Sequence, residues 1–280
     1  MNNRNMPYRL CLLTDFMKWR EFSFKRYRKW LLPLLILAAM TEGAAIICGA
    51  TFGKLEEGLL KGISFLGFMF PPDWSAFAEM VQPAFQSIVI AFLGTVFGTI
   101  LSVVFALLAA ANISNPWVRN ITRLLIGLER SIPEIVILLL LIAAFGLGSM
   151  PGIIALSLGC IGMLGKLLAD TIEELDPIMM ESMESVGANK IQIIVFGVLP
   201  QIMPNLISYA LFRFEINIRL SVILGAVGAG GVGYELDYSF GMLQYHRAFT
   251  ALLVIIVMIF GTERLSYILR GKIKMEGALK

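Results

Sequence analysis

Residues 84–112, AFQSIVIAFLGTVFGTILSVVFALLAAAN, run for 29 positions without a charged side chain. About 20 apolar residues suffice for a helix to cross a hydrocarbon core of roughly 30 Å. Inside that core the segment must satisfy its own backbone hydrogen bonds, so a spanning helix follows. Apolar runs of similar character occupy 30–50, 132–148, 153–175, 200–227 and 248–269. The chain is 58% hydrophobic and 15% charged, with mean hydropathy +0.79, whereas soluble domains carry about 25% charge. The expected fold is an all-α, polytopic membrane protein of about six transmembrane helices. Its 280 residues leave no room for a second globular domain.

The charges orient these spans. Eight basic side chains (Arg4, Arg9, Lys18, Arg20, Lys25, Arg26, Arg28, Lys29) against two acids precede the first span, which places that end in the cytoplasm. Glu42 is an awkward guest within that span. Residues 51–83 read as an outside segment, with a short interfacial helix over 59–70 and a rigid turn at FPPDW. Gly94 and Gly98 make a GxxxG spacing that permits close helix approach. The loop 113–130 carries Arg119, Arg123 and Arg130 against Glu129 and is expected inside. The chain then goes out, turns at SMPG (149–152), and returns. Residues 181–200 therefore lie in the cytoplasm. An outer loop from Gly228 to about His246 precedes the last span, whose tail (Arg264, Arg270, Lys272, Lys274, Lys280) is again inside.

Several chemistries are excluded. GAGGVG (228–233) matches GxGxxG, but the motif has meaning only between a strand and a helix of a βαβ unit. No GxxxxGK[ST] occurs: around Gly165 and Lys166, Cys160 and Leu167 stand where a glycine and a hydroxyl are required. The chain therefore cannot bind ATP through a P-loop of its own. His246, the single histidine, reads as a solvated residue at a membrane boundary, and Cys11, Cys48 and Cys160 lack metal-ligand spacing. No catalytic set, metal site or cofactor site is expected, and a net charge of +3 makes no case for nucleic acid.

Three features remain. FRFEINIRL (212–220) places Arg213, Glu215 and Arg219 inside the fifth span, where each charge facing lipid would cost about 2.5–3.5 kcal/mol. They are expected to face protein or water. Glu215 and Arg219, four apart, can pair on one face, while Arg213 lies about 160° around the helix from Glu215. The cluster reads either as a translocation path suited to an anion or as a structural ion-pair network between subunits. Gly228, Gly230, Gly231 and Gly233 end that span and form a candidate outer gate. The amphipathic stretch ESMESVGANKIQIIVFGVLP (181–200) reads as two short helices turning at Gly187, with Pro200 in the first turn of the following span. Met179, Met180, Met183 and Val186 are expected on a surface that can lie in the groove of a cytosolic partner.

Glu181, Gly187, Leu199 and Pro200 stand at the spacing of the cytoplasmic coupling loop of bacterial ATP-binding-cassette importer permeases (EAA, three residues, G, nine residues, I-x-L-P). Ser182 and Met183 replace the two alanines and Gly197 the isoleucine. FPPDW (70–74), RSIPE (130–134), GMLGKLLADTIEELDP (162–177), SVGANKIQIIVFGVLPQIMP (185–204), SYALFRFEINIR (208–219) and GAVGAGGVG (225–233) extend the likeness. Over about residues 68–270 the chain resembles the permease of the phosphonate and phosphite importer family. The resemblance implies a type I importer permease fold, with a core over 68–280 and a coupling loop over about 176–200. Residues 1–67 would add a basic tail, one span and part of the outer segment. It also implies a second permease subunit (homodimer or paired heterodimer), two cytosolic ATPases and an external, periplasmic solute-binding protein. The coupling residues would be Glu181, Met183, Gly187, Leu199 and Pro200, with ATP bound by the partner. An importer of another small solute, such as methionine or a sulfonate, and a self-sufficient secondary transporter or channel are the alternatives.

Overall fold

The computed structural model describes residues 29–278, and the chain divides into two compact units between Gly67 and Phe68. The basic residues before Lys29, and Lys280, lie outside the described residues. The first unit contains α1 (Lys29–Ile47) and most of α2 (Phe52–Met69). The helix expected over 59–70 thus begins earlier. Leu55, Leu59, Ile63 and Leu66 continue one apolar stripe, and Lys61 pairs with Glu57 one turn away at 3.3 Å.

The second unit is built around α3 (Phe77–Ala109), with α4 (Pro116–Ser131), α5 (Glu134–Phe145), α6 (Ser149–Glu173), α7 (Pro177–Ser185), α8 (Lys190–Ala229), α9 (Val232–Gly241) and α10 (Tyr245–Ala278). No strand occurs among the described residues, so GAGGVG has no βαβ context. The expected close approach at Gly94 and Gly98 is present. A Cβ on Gly94 would lie 2.7 Å from the Cβ of Leu156, and one on Gly98 2.5 Å from that of Cys160, so α3 and α6 touch through backbone. Around this seam Ile90, Leu138, Leu156 and Leu224 bring α5 and α8 into the core, while Met80, Ile218, Val232 and Met258 bring in α9 and α10. Asn217 donates to Thr95 Oγ1 at 2.9 Å in the dry interior, tying α8 to α3.

Three expectations change here, and the helix count is refined. Among the described residues five helices are long and apolar enough to cross a membrane. α5 is a shorter one: its 12 residues span only about 18 Å, because Gly146 and Gly148 end it inside an apolar run that looked continuous. The loop expected over 113–130 is largely helix. Asn115 accepts from the Trp117 N–H at 3.2 Å and Pro116 occupies the first turn, a strong start signal. The second short helix and the fifth span are one helix, α8, which runs through Pro200. A wider π turn over Ile193–Val198 precedes the proline and relieves the clash its ring would make with the carbonyl of residue 196. The expected loop from Gly228 to His246 contains α9.

His246 is exposed, as expected of a boundary residue, but its ring is engaged: Nδ1 donates to the Pro71 carbonyl at 2.8 Å. Beside it the Thr250 hydroxyl donates to the Asp73 carbonyl at 2.9 Å, so the FPPDW turn is fastened to the start of α10.

Candidate functional site

α7 begins at Asp176, whose carboxylate accepts from the Ile178 N–H at 2.9 Å, and Pro177 fills the next position. It ends at Gly187, with φ of +87°, where the Gly187 and Ala188 N–H groups donate to the Glu184 and Met183 carbonyls. This is the six-to-one closure that favours glycine. A Cβ there would meet open space, so Gly187 is required by backbone conformation and not by crowding. Asn189 and Gln192 then form a reciprocal capping box that starts α8.

The apolar surface of this turn differs from expectation. Met179 and Met183 fold inward onto Gly197, each sulfur 2.9 Å from where a Cβ would stand, and Met180 and Leu199 pack on the core. The small residue at 197 makes that inward turn possible. Of the four side chains expected outside, only Val186 is exposed. The others presented are Ile178, Ile191 and Phe196, with 67–84% exposure across the four. Glu181 and Pro200 are exposed beside them.

The three charges expected inside the fifth span part company. Glu215 and Arg219 do not pair with each other. Glu215 accepts from Arg270 at 2.5 Å and Arg219 reaches Glu263 at 3.5 Å, both on α10, which runs antiparallel and offers two countercharges at matching heights. Arg213 points the other way. Only 5% exposed, it donates through Nη2 to Glu134 Oε1 at 3.2 Å, and its buried Nε has no hydrogen-bond partner.

Arg213 lines a cavity of about 280 Å³ with Glu129, Arg130, Ser131, Ile132, Pro133, Glu134, Gly159 and Met163. Glycines of α6 let these charged side chains lie directly against its backbone. A Cβ on Gly159 would stand 2.7 Å from Arg213 Nη2, and one on Gly162 would meet the Glu129 carboxylate at 1.7 Å. Burial pushes the Glu129 carboxyl up, Arg213 opposes that, and Glu134 adds to it. Of the three path candidates, Arg213 is the one that lines this cavity. Glu129 and Glu134, which complete the site, escaped the sequence reading. Pro133-Glu134 at a helix start and the glycines of α6 were the available signals.

At the other end of α8 the candidate gate is a tight crossing. Gly228 and Gly231 have φ of +116° and +76°. Gly230 (φ +85°) lies beside Gln86, and a Cβ on Gly233 would be 1.9 Å from the Val222 carbonyl oxygen. The Val232 N–H donates to Ser87 Oγ at 3.0 Å, which holds the crossing against α3.

Comparison with known proteins gives concordant results. The family described as binding-protein-dependent transport system inner membrane component matches residues 102–275. The chain is 35% identical over 221 residues to the phosphite transport system permease protein PtxC of Stutzerimonas stutzeri, covering 79% of this chain and 80% of that protein. It is 40% identical over 207 residues to the phosphate-import permease protein PhnE of Mycolicibacterium smegmatis, covering 73% of this chain and 39% of that protein. Among solved structures, an inward-facing form of the MetNI methionine ABC transporter superposes with a TM-score of 0.63 at 20% identity, covering 72% of this chain and 99% of that one. That likeness concerns the fold alone. The matched residues hold the α7 turn, the buried arginine and the glycine crossing together, and the chain belongs to the family of binding-protein-dependent transport system inner membrane components.

Proposed function

We propose that this chain is the permease of an ATP-driven importer that moves phosphonate, phosphite or a related phosphorus oxyanion across the bacterial cytoplasmic membrane. The observation that carries the importer reading is the exposed apolar rim of Ile178, Val186, Ile191 and Phe196 around the Gly187 turn. Fully burying one such side chain is worth about 1.5–3 kcal/mol, enough for four to seat α7 firmly in the groove of a cytosolic ATPase. Relatives named for phosphite and phosphate import support the cargo class. A buried guanidinium beside a cavity agrees with it.

In this reading both termini are cytoplasmic and two permease subunits pair. Two ATPases bind the loops around Glu181, Met183, Gly187, Leu199 and Pro200, and an external binding protein delivers the cargo. α8 is the transmitting element. It runs unbroken from the capped turn at Asn189, past Arg213, to the glycine crossing at Gly228, Gly230, Gly231 and Gly233, which acts as the outer gate. ATP-driven closure displaces α7, and only contacts that differ between the two states can drive the switch.

The test is co-purification with the partner ATPases, combined with Gly187→Val, a β-branched residue at a φ of +87°. We expect uptake to be lost while the permease still folds. If no ATPase accompanies the permease and the variant transports normally, the importer reading fails. The cargo is checked on the cognate binding protein, where a preference for methionine over methylphosphonate would overturn the oxyanion assignment.

A further inference from the structure

We infer that the cavity between α4, α5, α6 and α8 is an anion-exchange site, in which Glu134 occupies Arg213 between cargoes and a passing phosphorus oxyanion displaces that carboxylate. The inference rests on the importer reading and adds to it which group meets the cargo and what competes with it.

Arg213 is 95% buried, by its 5% exposure, and a guanidinium so placed requires a countercharge. Glu134 supplies one through Nη2 and Nη1 reaches Met163 Sδ at 4.0 Å, while the buried Nε on the same planar fork has no hydrogen-bond partner. The fork is therefore half used. A carboxylate and a phosphonate present the same paired oxygens to a guanidinium, so one can replace the other without rebuilding the site. The space is adequate: the cavity is about 280 Å³, and a water takes about 30 Å³ of liquid volume, so an anion the size of a few waters fits with part of its hydration.

A second acid makes the resident pair easier to open. Glu129 reaches the same cavity from α4 with its carboxylate against Gly162, and burial together with the Glu134 charge pushes the Glu129 carboxyl up. Arg130 at the rim adds a positive charge for an incoming anion. Conduction needs a site strong enough to enter and weak enough to leave. A resident carboxylate provides that, because it returns to Arg213 as the cargo departs and so opposes trapping. The cavity beside the pair gives an incoming anion room that a purely structural pair does not require. The pairs of Glu215 with Arg270 and Arg219 with Glu263 on the opposite face do not line this cavity.

The experiment is equilibrium binding of radiolabelled methylphosphonate to the permease reconstituted with its ATPases in nanodiscs, without the binding protein. Glu134→Gln keeps the volume and removes the competing charge. It is expected to bind at least tenfold more tightly than the unaltered protein and to turn over more slowly in proteoliposomes. Glu134→Asp, which retracts the carboxylate, gives a smaller tightening and serves should the glutamine variant fail to assemble. The double variant Arg213→Met with Glu134→Gln, which leaves no orphaned charge, is expected to lose binding. Unchanged affinity in both Glu134 variants, or a double variant that binds as well as Glu134→Gln, overturns the exchange site. Uptake of methylphosphonate by the unaltered complex with its binding protein separates the two ideas. Its absence removes the cargo reading, whereas normal uptake with unchanged Glu134→Gln affinity removes this inference alone.

Discussion

The two faces of α8 carry the same chemistry to different ends. On one, Glu215 and Arg219 meet Arg270 and Glu263 of α10, and the Arg270 guanidinium also covers the Phe212 ring at 5.9 Å, so charge is spent on holding two helices in register. On the other, Arg213 meets Glu134 at the wall of a cavity, both lying close against Gly159. Charges buried in an apolar protein must be paired in either case. What separates the faces is space and an unused donor, and these mark the face suited to a transient ligand.

The faces can be dissociated by substitution. The largest expected effect is at Gly159→Val, whose Cβ alone would press within 2.7 Å of Arg213 Nη2 and 2.9 Å of Glu134 Cγ. Uptake should fall at least tenfold, equivalent to about 1.4 kcal/mol in the transport step, with unfolding temperature in detergent lowered only modestly. A variant that transports normally would erase the distinction between the faces. Glu215→Gln should do the reverse. It leaves Arg270 without its carboxylate and lowers stability by about 1–3 kcal/mol, read as a lower melting temperature, while uptake per folded molecule is retained. Arg219→Gln should be milder still, under about 1 kcal/mol, because Arg219 and Glu263 are each half exposed and 3.5 Å apart.

The smallest effect concerns pH. The Glu129 carboxyl is raised by burial and by Glu134, against the opposing pull of Arg213, Arg130 and the Gly162 N–H. A carboxyl raised on folding favours its neutral form, so its contribution to stability is fully present below the unfolded value and is lost as pH rises through the folded one. Glu129→Gln, which holds the neutral form, should flatten the decline in melting temperature across that interval. A profile identical to that of the unaltered protein would show that burial does not raise the Glu129 carboxyl on folding.

Much of this was legible in residue order, for local reasons. The apolar runs named the spanning helices because a lipid-embedded segment must satisfy its own backbone. GxxxG at Gly94 and Gly98 foretold the α3–α6 seam, and Gly187 foretold the α7 turn, since both depend on a missing Cβ at a known spacing. Errors arose where a local cue had two readings. Gly146 and Gly148 hid inside an apolar run and shortened α5. Pro200 looked like a helix start, but the π turn before it let α8 continue. Met179 and Met183 looked like part of a docking face and instead lie on Gly197, while Met180 packs on the core.

By itself, then, the sequence determined an all-helical membrane chain, its turn at Gly187 and the presence of three charges in one span. Each follows from chemistry within a few residues along one helix. Only the tertiary structure decided what those charges do. Arg213 finds Glu134 across 79 residues and Glu215 finds Arg270 across 55. Helical periodicity shows which direction a side chain leaves its own helix, and it carries no information about which neighbour stands there. Packing of α6 against α3, permitted by glycines, placed α5 beside one face of α8 and left a cavity. Packing of α10 on the other face met Glu215 and Arg219 with countercharges.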